Sequence, residues 1–492
     1  MPSHTTQPSL NTRLNELILP IAIAAVTAVA TDAFGALSLT SIPTLGSDTS
    51  NEGRCITPDG RYIGGLSGTA NGFFYDVTSK NLFQPTNGSL ATKAVTGIAY
   101  RMDTNQSPAQ LQIVLDTESV GWKAYFMTAD QGTNWLRYVS SYDYSLYVTP
   151  VANSLAGTTN SDVFLSTFRN TGKTYVYTTW ASNLWNSSAA PQMYTGSKSV
   201  SGTDKVYANG VAATGRIVGY RFDGASGINR NDLWDWPPAS GTSFQWNGLD
   251  GTVAGEGWAI SQNGTTLFGR SSIIPGGTEL YAYKATVTAA RSQTSIKALP
   301  EPPRTVAGSG VTRCVPLGCT ADGNYAVGYF YPHATLAALW DTNDSNTNNW
   351  KVTDLTALAV AYHAGVPDLF SSLTKAYSVG TNVTGDLVIT GIGVETGTGN
   401  TRAFLMTVPK SMAAVGFSFA PKLTYSGSYP AGLTLSFYGE PGISYHIDYT
   451  TDFSPASTWN EISNGAGSGI VIDVTDATPS DQQRFYRVRI DP

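Results

Sequence analysis

Charge is scarce in this chain. Lys, Arg, Asp and Glu make up 13% of 492 residues, about half the share usual in a soluble globular protein. With 29 basic against 35 acidic side chains the net charge is −6. No basic run offers the phosphate-neutralising surface that nucleic acid requires, so nucleic acid is not an expected partner. Cysteine is rarer still. Cys55, Cys314 and Cys319 are an odd number, which excludes a fully paired disulfide scaffold, and no CxxC spacing points to zinc. Cys314 and Cys319 suit either a local bridge or two small buried apolar positions. The four histidines, His4, His333, His363 and His446, are scattered, with no HExxH pair. A GxSxG elbow, a phosphate-cradling loop and a dinucleotide fingerprint are missing. Neither a metal nor a cofactor is expected.

Long apolar runs are also few. Residues 17–30 form one, preceded by Arg13 and ending on Ala28-Val29-Ala30, which reads as an export signal over residues 1–30. The run is short for a bilayer and contains Pro20, so a short buried helix is the other reading. No later segment is long and apolar enough to be a membrane span. The mature chain is expected to be secreted, at the cell surface or in the periplasm.

What is abundant is glycine and aromatic residues, and they recur. A short aromatic strand appears seven times: Gly72-Phe73-Phe74-Tyr75, Ala124-Tyr125-Phe126-Met127, Thr174-Tyr175-Val176-Tyr177, Ser243-Phe244-Gln245-Trp246, Leu280-Tyr281-Ala282-Tyr283, Ala337-Ala338-Leu339-Trp340 and Ala403-Phe404-Leu405-Met406. Upstream lies an apolar strand that usually ends in Gly, as in Ile217-Val218-Gly219 and Ala326-Val327-Gly328. Before that comes a tight turn: Asp59-Gly60, Thr214-Gly215, Asn263-Gly264, Asp322-Gly323 or Thr384-Gly385. Glycine there supplies the positive φ of a tight hairpin turn. The second and third copies lack it. Four strands per repeat of about 40–70 residues is a propeller blade. The fold class is therefore all-β, with a seven-bladed β-propeller over residues 31–412. The alternating segment 36–40 is expected to pair beside Ala403 to Met406 and close the ring.

Residues 416–492 break the pattern and read as a small C-terminal β-sandwich, with alternating strands such as Leu433-Thr434-Leu435-Ser436-Phe437-Tyr438. The recurring strand, turn glycine, Val-Gly and aromatic strand resemble the HAF-type repeats of secreted bacterial propellers. The series Tyr445-His446-Ile447-Asp448-Tyr449, Trp459 and Arg484-Phe485-Tyr486-Arg487-Val488 looks like the fibronectin-III-like modules of exported bacterial proteins. That resemblance implies a spacer or attachment role for the sandwich.

Chemistry is harder to find. Residues 128–135, Thr-Ala-Asp-Gln-Gly-Thr-Asn-Trp, look like an Asp-box, a turn-stabilising device found in sialidases and other propellers. Residues 341–346 are rich in oxygen ligands but lack the glycine and distal Glu of an EF-hand, so a polar turn is expected. Counting back from the turn glycines gives two sets of positions at the start of the inner strands. Eight residues before lie Glu52, Tyr207, Glu256, Val315 and Tyr377; ten before lie Ser50, Lys205, Ala254, Arg313 and Lys375. Such residues would surround one mouth of the central channel, either as a hydrated polar ring or as a ligand site. Glu52 and Glu256 are the candidate acid–base pair, and Lys205, Tyr207, Arg313, Lys375 and Tyr377 the candidate ligand contacts. Residues 223–241 read as a long loop of the fourth blade, with Trp234 and Trp236 overhanging that mouth.

Fold alone does not choose among functions. Export, low charge and a load of 26 Tyr and 11 Trp favour an adhesion or binding protein whose partner is a glycan or surface polymer. The alternatives are a carbohydrate-active hydrolase or lyase, sialidase-like in fold, and a scaffold for protein partners.

Overall fold

A computed structural model describes the chain from Leu37 to Ile490, apart from residues 104–109, 129–135, 140–154, 158–162, 181–192, 195–204, 236–243, 302–313, 331–334, 414–423, 440–443, 452–457, 478–483 and several shorter turns. The export segment and the Asp-box turn, like Arg313 and Trp236, lie outside the described residues. Seven antiparallel sheets run outward from an inner strand in chain order, save that the outermost strand of the seventh is Ser38–Ser41, and these inner strands are Asn51–Ile56, Val95–Asp103, Leu155–Gly157, Lys205–Val211, Glu256–Ile260, Cys314–Cys319 and Phe370–Thr381. Each touches the next, and the seventh touches the first. The ring is closed, and the chain is a seven-bladed β-propeller followed by a small β-sandwich.

The repeat has a physical cause. Six inner strands carry a register shift, at Arg54, Thr96, Asn209, Trp258, Leu317 and Tyr377. A bulge of this kind pushes a carbonyl toward the neighbouring strand. A Cβ placed on the facing glycine of the second strand would lie 2.0 Å from the Glu52 carbonyl oxygen at Gly65, 2.3 Å from that of Glu256 at Gly269, 1.9 Å from that of Val315 at Gly328 and 2.0 Å from that of Lys375 at Gly391. The glycine is required by close approach. Across the sheet from three of these glycines stand Phe73, Tyr283 and Phe404, all buried, covering the space that the missing side chain leaves. The Val-Gly and aromatic elements of the repeat are two halves of one packing unit.

The inner strands of the first, fourth, fifth, sixth and seventh blades run from one mouth, here the upper, to a described turn at the lower mouth, where adjacent turns join: Gln262 donates its N–H to the Ala321 carbonyl (3.0 Å) and Thr381 to that of Pro58 (2.8 Å). At three of these turns a hydroxyl donates to the Asx side chain two residues on, Thr57 to Asp59 (2.6 Å), Ser261 to Asn263 (2.6 Å) and Thr320 to Asp322 (2.5 Å). The following glycine has φ of 71° each time, at Gly60, Gly264 and Gly323, the left-handed region open to glycine.

Closure uses the N-terminal segment. Ser38–Ser41 pairs antiparallel outside Thr401–Val408, with Ser38 opposite Thr407 and Ser41 opposite Phe404. The first described residues therefore start at the lower face. The short helix Lys410–Ala413, where the propeller ends, lies there too, with the Lys410 ammonium 5.7 Å from the Tyr325 ring centroid. Two three-stranded sheets follow, closed over Leu435, Phe437, Tyr445, Ile447 and Val474.

The fourth blade corrects the sequence reading. Residues 223–241 are not one long loop: Ile228–Asp235 is the third strand, paired along Arg216–Asp223 through a tight turn. Asp223 holds that turn by accepting N–H bonds from Ala225 (3.0 Å) and Ser226 (3.3 Å). Phe244 bridges outside Leu233, so residues 244–246 belong to the outer edge of the blade. Trp234 is a strand residue opposite Ile217, at the lower end and away from the mouth it was expected to cover. The signal was misread because Asn229, Arg230, Asn231 and Asp232 look like loop. Asn231 and Asp232 are in fact buried, with Asn231 accepting a hydrogen bond from the buried Tyr283 hydroxyl at 2.7 Å.

None of the three cysteines is in a disulfide. In the loop at residues 341–349, the Asp344 carboxylate accepts from the Asn346 N–H (2.8 Å) and the Asn349 amide (2.8 Å), while Trp350 donates to the Asp344 carbonyl (2.8 Å). This is a self-satisfied polar turn.

Asp354, 1% exposed, stands before the helix Leu355–Ala361. One oxygen accepts N–H bonds from Thr356 (2.7 Å) and Ala357 (3.3 Å), and the other has no partner among the described residues. Burial pushes its pKa from 3.8 up to about 7, against the opposing pull of the two amides. A carboxyl that holds its proton more tightly when folded works against folding as pH rises between those two values. Asp354→Asn keeps a capping oxygen and removes the titration. Its stability relative to the parent should therefore grow between pH 4 and 7 and level off above, as read from denaturant midpoints. A difference independent of pH would refute this account.

Candidate functional site

The bulges build the upper mouth. Side chains at the bulge and two residues before it point the same way, toward the channel, so five blades each offer a rim residue and a deeper one: Glu52 and Arg54, Tyr207 and Asn209, Glu256 and Trp258, Val315 and Leu317, Lys375 and Tyr377. The seventh blade corrects the count from turn glycines. Two extra residues separate its bulge from its turn, and the carbonyl-to-glycine contact makes Lys375, not Tyr377, the equivalent of Glu52 and Glu256.

Glu256 is 5% exposed and saturated. Its carboxylate accepts from Arg270 Nε (2.7 Å) and Trp258 Nε1 (3.1 Å) on one oxygen and from Asn229 Nδ2 (2.6 Å) on the other. The Arg270 guanidinium also lies over the Trp258 ring at 5.5 Å. From the segment read as a loop, the residue that reaches the rim is thus Asn229. Glu52 pairs with Arg54 (3.1 Å). Burial pushes the Tyr377 hydroxyl up to about 12, the Glu52 charge adding to the effect and Arg54 opposing it, so near neutral pH Tyr377 is a hydrogen-bond donor and not a base. The Lys375 ammonium rests 5.2 Å from the Tyr329 ring centroid, and Tyr207 stacks on Tyr220 at 4.6 Å. Lys205 begins the inner strand of the fourth blade, opposite Phe222.

The two glutamates belong to the first and fifth blades, with the sixth and seventh between them on one side of the ring, and each is engaged by an arginine of its own blade. Below the rim a cavity of ≈ 70 Å³ is lined by Ile56, Val211, Trp258, Ile260, Leu317 and Val379 among others, room for roughly five waters. Among the described residues no group of His, Cys, Asp and Glu is placed to hold a metal ion.

Arg54, Asn229, Trp258, Arg270 and Tyr329 were missed by the sequence reading. The signal for the bulge residues was present: a glycine inside the second strand announces a bulge opposite, and the bulged residue faces the channel beside the one two places earlier.

No family model and no curated protein matches the chain. Among solved structures it is similar to TolB from Acinetobacter baumannii, with 12% identity and a TM-score of 0.33 over 69% of each chain. It is also similar to the Dos1 propeller, with 9% identity and a TM-score of 0.40 over 76% of this chain and 95% of that one. A third is the oligogalacturonate lyase of Vibrio parahaemolyticus, with 10% identity and a TM-score of 0.42 over 77% and 98%. The propeller assignment rests on the closed ring of inner strands.

Proposed function

We propose that this is an exported binding protein that holds a glycan or surface polymer at the upper mouth of its propeller. The observation that carries this reading is the alternation, around one rim, of flat aromatic faces and fixed ion pairs: Trp258 with Arg270 and Glu256, Tyr377 with Arg54 and Glu52, and Tyr329 under Lys375. Aromatic faces cover the apolar faces of sugar rings, and fixed charged groups hydrogen-bond their hydroxyls. Hydrolysis by paired carboxylates needs both acids across one substrate bond, whereas here each glutamate is held within its own blade. The path of the chain favours the same face. Both Ser38 and the helix Lys410–Ala413 lie at the lower side, so tethering through either end leaves the upper mouth outward.

The test is affinity electrophoresis of the full chain through gels containing a panel of polysaccharides. At least one should retard the protein, and Tyr329→Ala should lose most of that retardation. Lys297→Ala, at an exposed outer-strand position of the fifth blade, should keep it. Absence of retardation by every polysaccharide, or equal loss in both variants, would sink the proposal. Release of new reducing ends would move the reading to an enzyme.

A further inference from the structure

We propose that the ligand is an acidic glycan, one carrying carboxylate or sulfate groups, and that Lys375 is its anionic anchor; this rests on the binding reading above. The chain as a whole is acidic, at −6, yet its described upper rim carries more cations than carboxylates. The rim and its hydrogen-bond partners hold Arg54, Arg270 and Lys375, with Lys205 at the start of an inner strand, against Glu52 and Glu256. Excess positive charge at a mouth raises the local concentration of anions there.

Among the rim cations whose side chains are described, Lys375 is the one whose partner is not a carboxylate. Arg54 and Arg270 are neutralised by Glu52 and Glu256. The Lys375 ammonium, half-buried, lies over the Tyr329 ring and forms no ion pair with a described residue. A ring quadrupole offsets part of the desolvation of an ammonium but not its charge. An anionic group above Tyr329 would complete it, while the sugar ring lies on the tyrosine face. Lys375 stands two strand positions before Tyr377, whose hydroxyl stays protonated near neutral pH.

The experiment measures retention of the full chain by alginate (carboxylated), dextran sulfate (sulfated) and neutral dextran, at low and high salt. Retention by alginate or dextran sulfate should exceed that by dextran and fall steeply with salt, and the stronger of the two identifies the anion. Lys375→Gln should weaken acidic binding about tenfold and flatten the salt dependence, with thermal unfolding unchanged because the side chain is part-exposed. Lys297→Gln should do neither. Dextran binding as tightly as the acidic polymers, or Lys375→Gln binding alginate and dextran sulfate like the parent, would overturn the acidic assignment and leave the binding reading standing. Retention by no polymer would overturn both.

Discussion

Replacing Arg216 with methionine is expected to destabilise the propeller by about 3–5 kcal/mol, the cost typical of breaking a buried ion pair from one side. Arg216, 7% exposed, is the staple between the fourth and fifth blades at the lower face. Its guanidinium donates to Asp235 within its own blade (2.7 Å and 3.4 Å) and to the carbonyls of Gly264 (2.9 Å), Thr288 (3.0 Å) and Ala289 (2.9 Å) in the next. Methionine fills much of the volume and restores none of these bonds, so three carbonyls lose a donor and Asp235 keeps Arg291 (3.0 Å) as its remaining described cation. The effect should appear as a lower denaturant midpoint for the propeller transition. A single variant within about 0.5 kcal/mol of the parent would show that the staple is dispensable.

The second large effect concerns the seam. Asn51, 1% exposed, sits where the ends of the ring meet. Its amide donates to the carbonyls of Ile42 (2.9 Å) and Pro43 (2.8 Å), and its carbonyl oxygen accepts the N–H of Ala403 (2.8 Å). One side chain thus ties the first blade, the closing strand Ser38–Ser41 and the third strand of the seventh blade. Asn51→Ala leaves three backbone groups without that partner, at about 1–3 kcal/mol for each that stays dry, so a loss of about 3–5 kcal/mol is expected. The loss has a location. Amide hydrogens of residues 39–41 should exchange much faster in the variant, while those of the second strand of the fifth blade, Thr266–Ser271, change little. Uniform acceleration, or none, would mean that Asn51 does not latch the ring.

These two residues mark what sequence alone conceals. Arg216 stands between a turn glycine and an apolar strand, and Asn51 among small polar residues. Nothing local reveals that either makes bonds to partners far away along the chain, since hydrogen-bonding reach is a property of the assembled ring. The blades were legible for the opposite reason. Positive φ at a turn, a bulge pressing its carbonyl on a glycine, and an aromatic covering that glycine are short-range demands, and each leaves a residue type at a fixed offset. The fourth blade failed this reading because its third strand buries Asn231 and Asp232, and the buried Asn231 is satisfied by groups remote in sequence, the Tyr283 hydroxyl of the next blade and the Trp246 carbonyl.

The rim divides along the same line. Sequence by itself determined that seven repeats exist and that Glu52, Tyr207, Glu256 and Lys375 fall near the start of inner strands, because strand alternation and turn chemistry act over a few residues. Tertiary structure decided which of them meet. It gave Glu256 to Arg270, Asn229 and Trp258, gave Glu52 to Arg54, set Lys375 over Tyr329, and placed the two glutamates on the first and fifth blades. The reason is geometric: the angular position of each blade around the axis is fixed only when inner strands from all seven pack against one another.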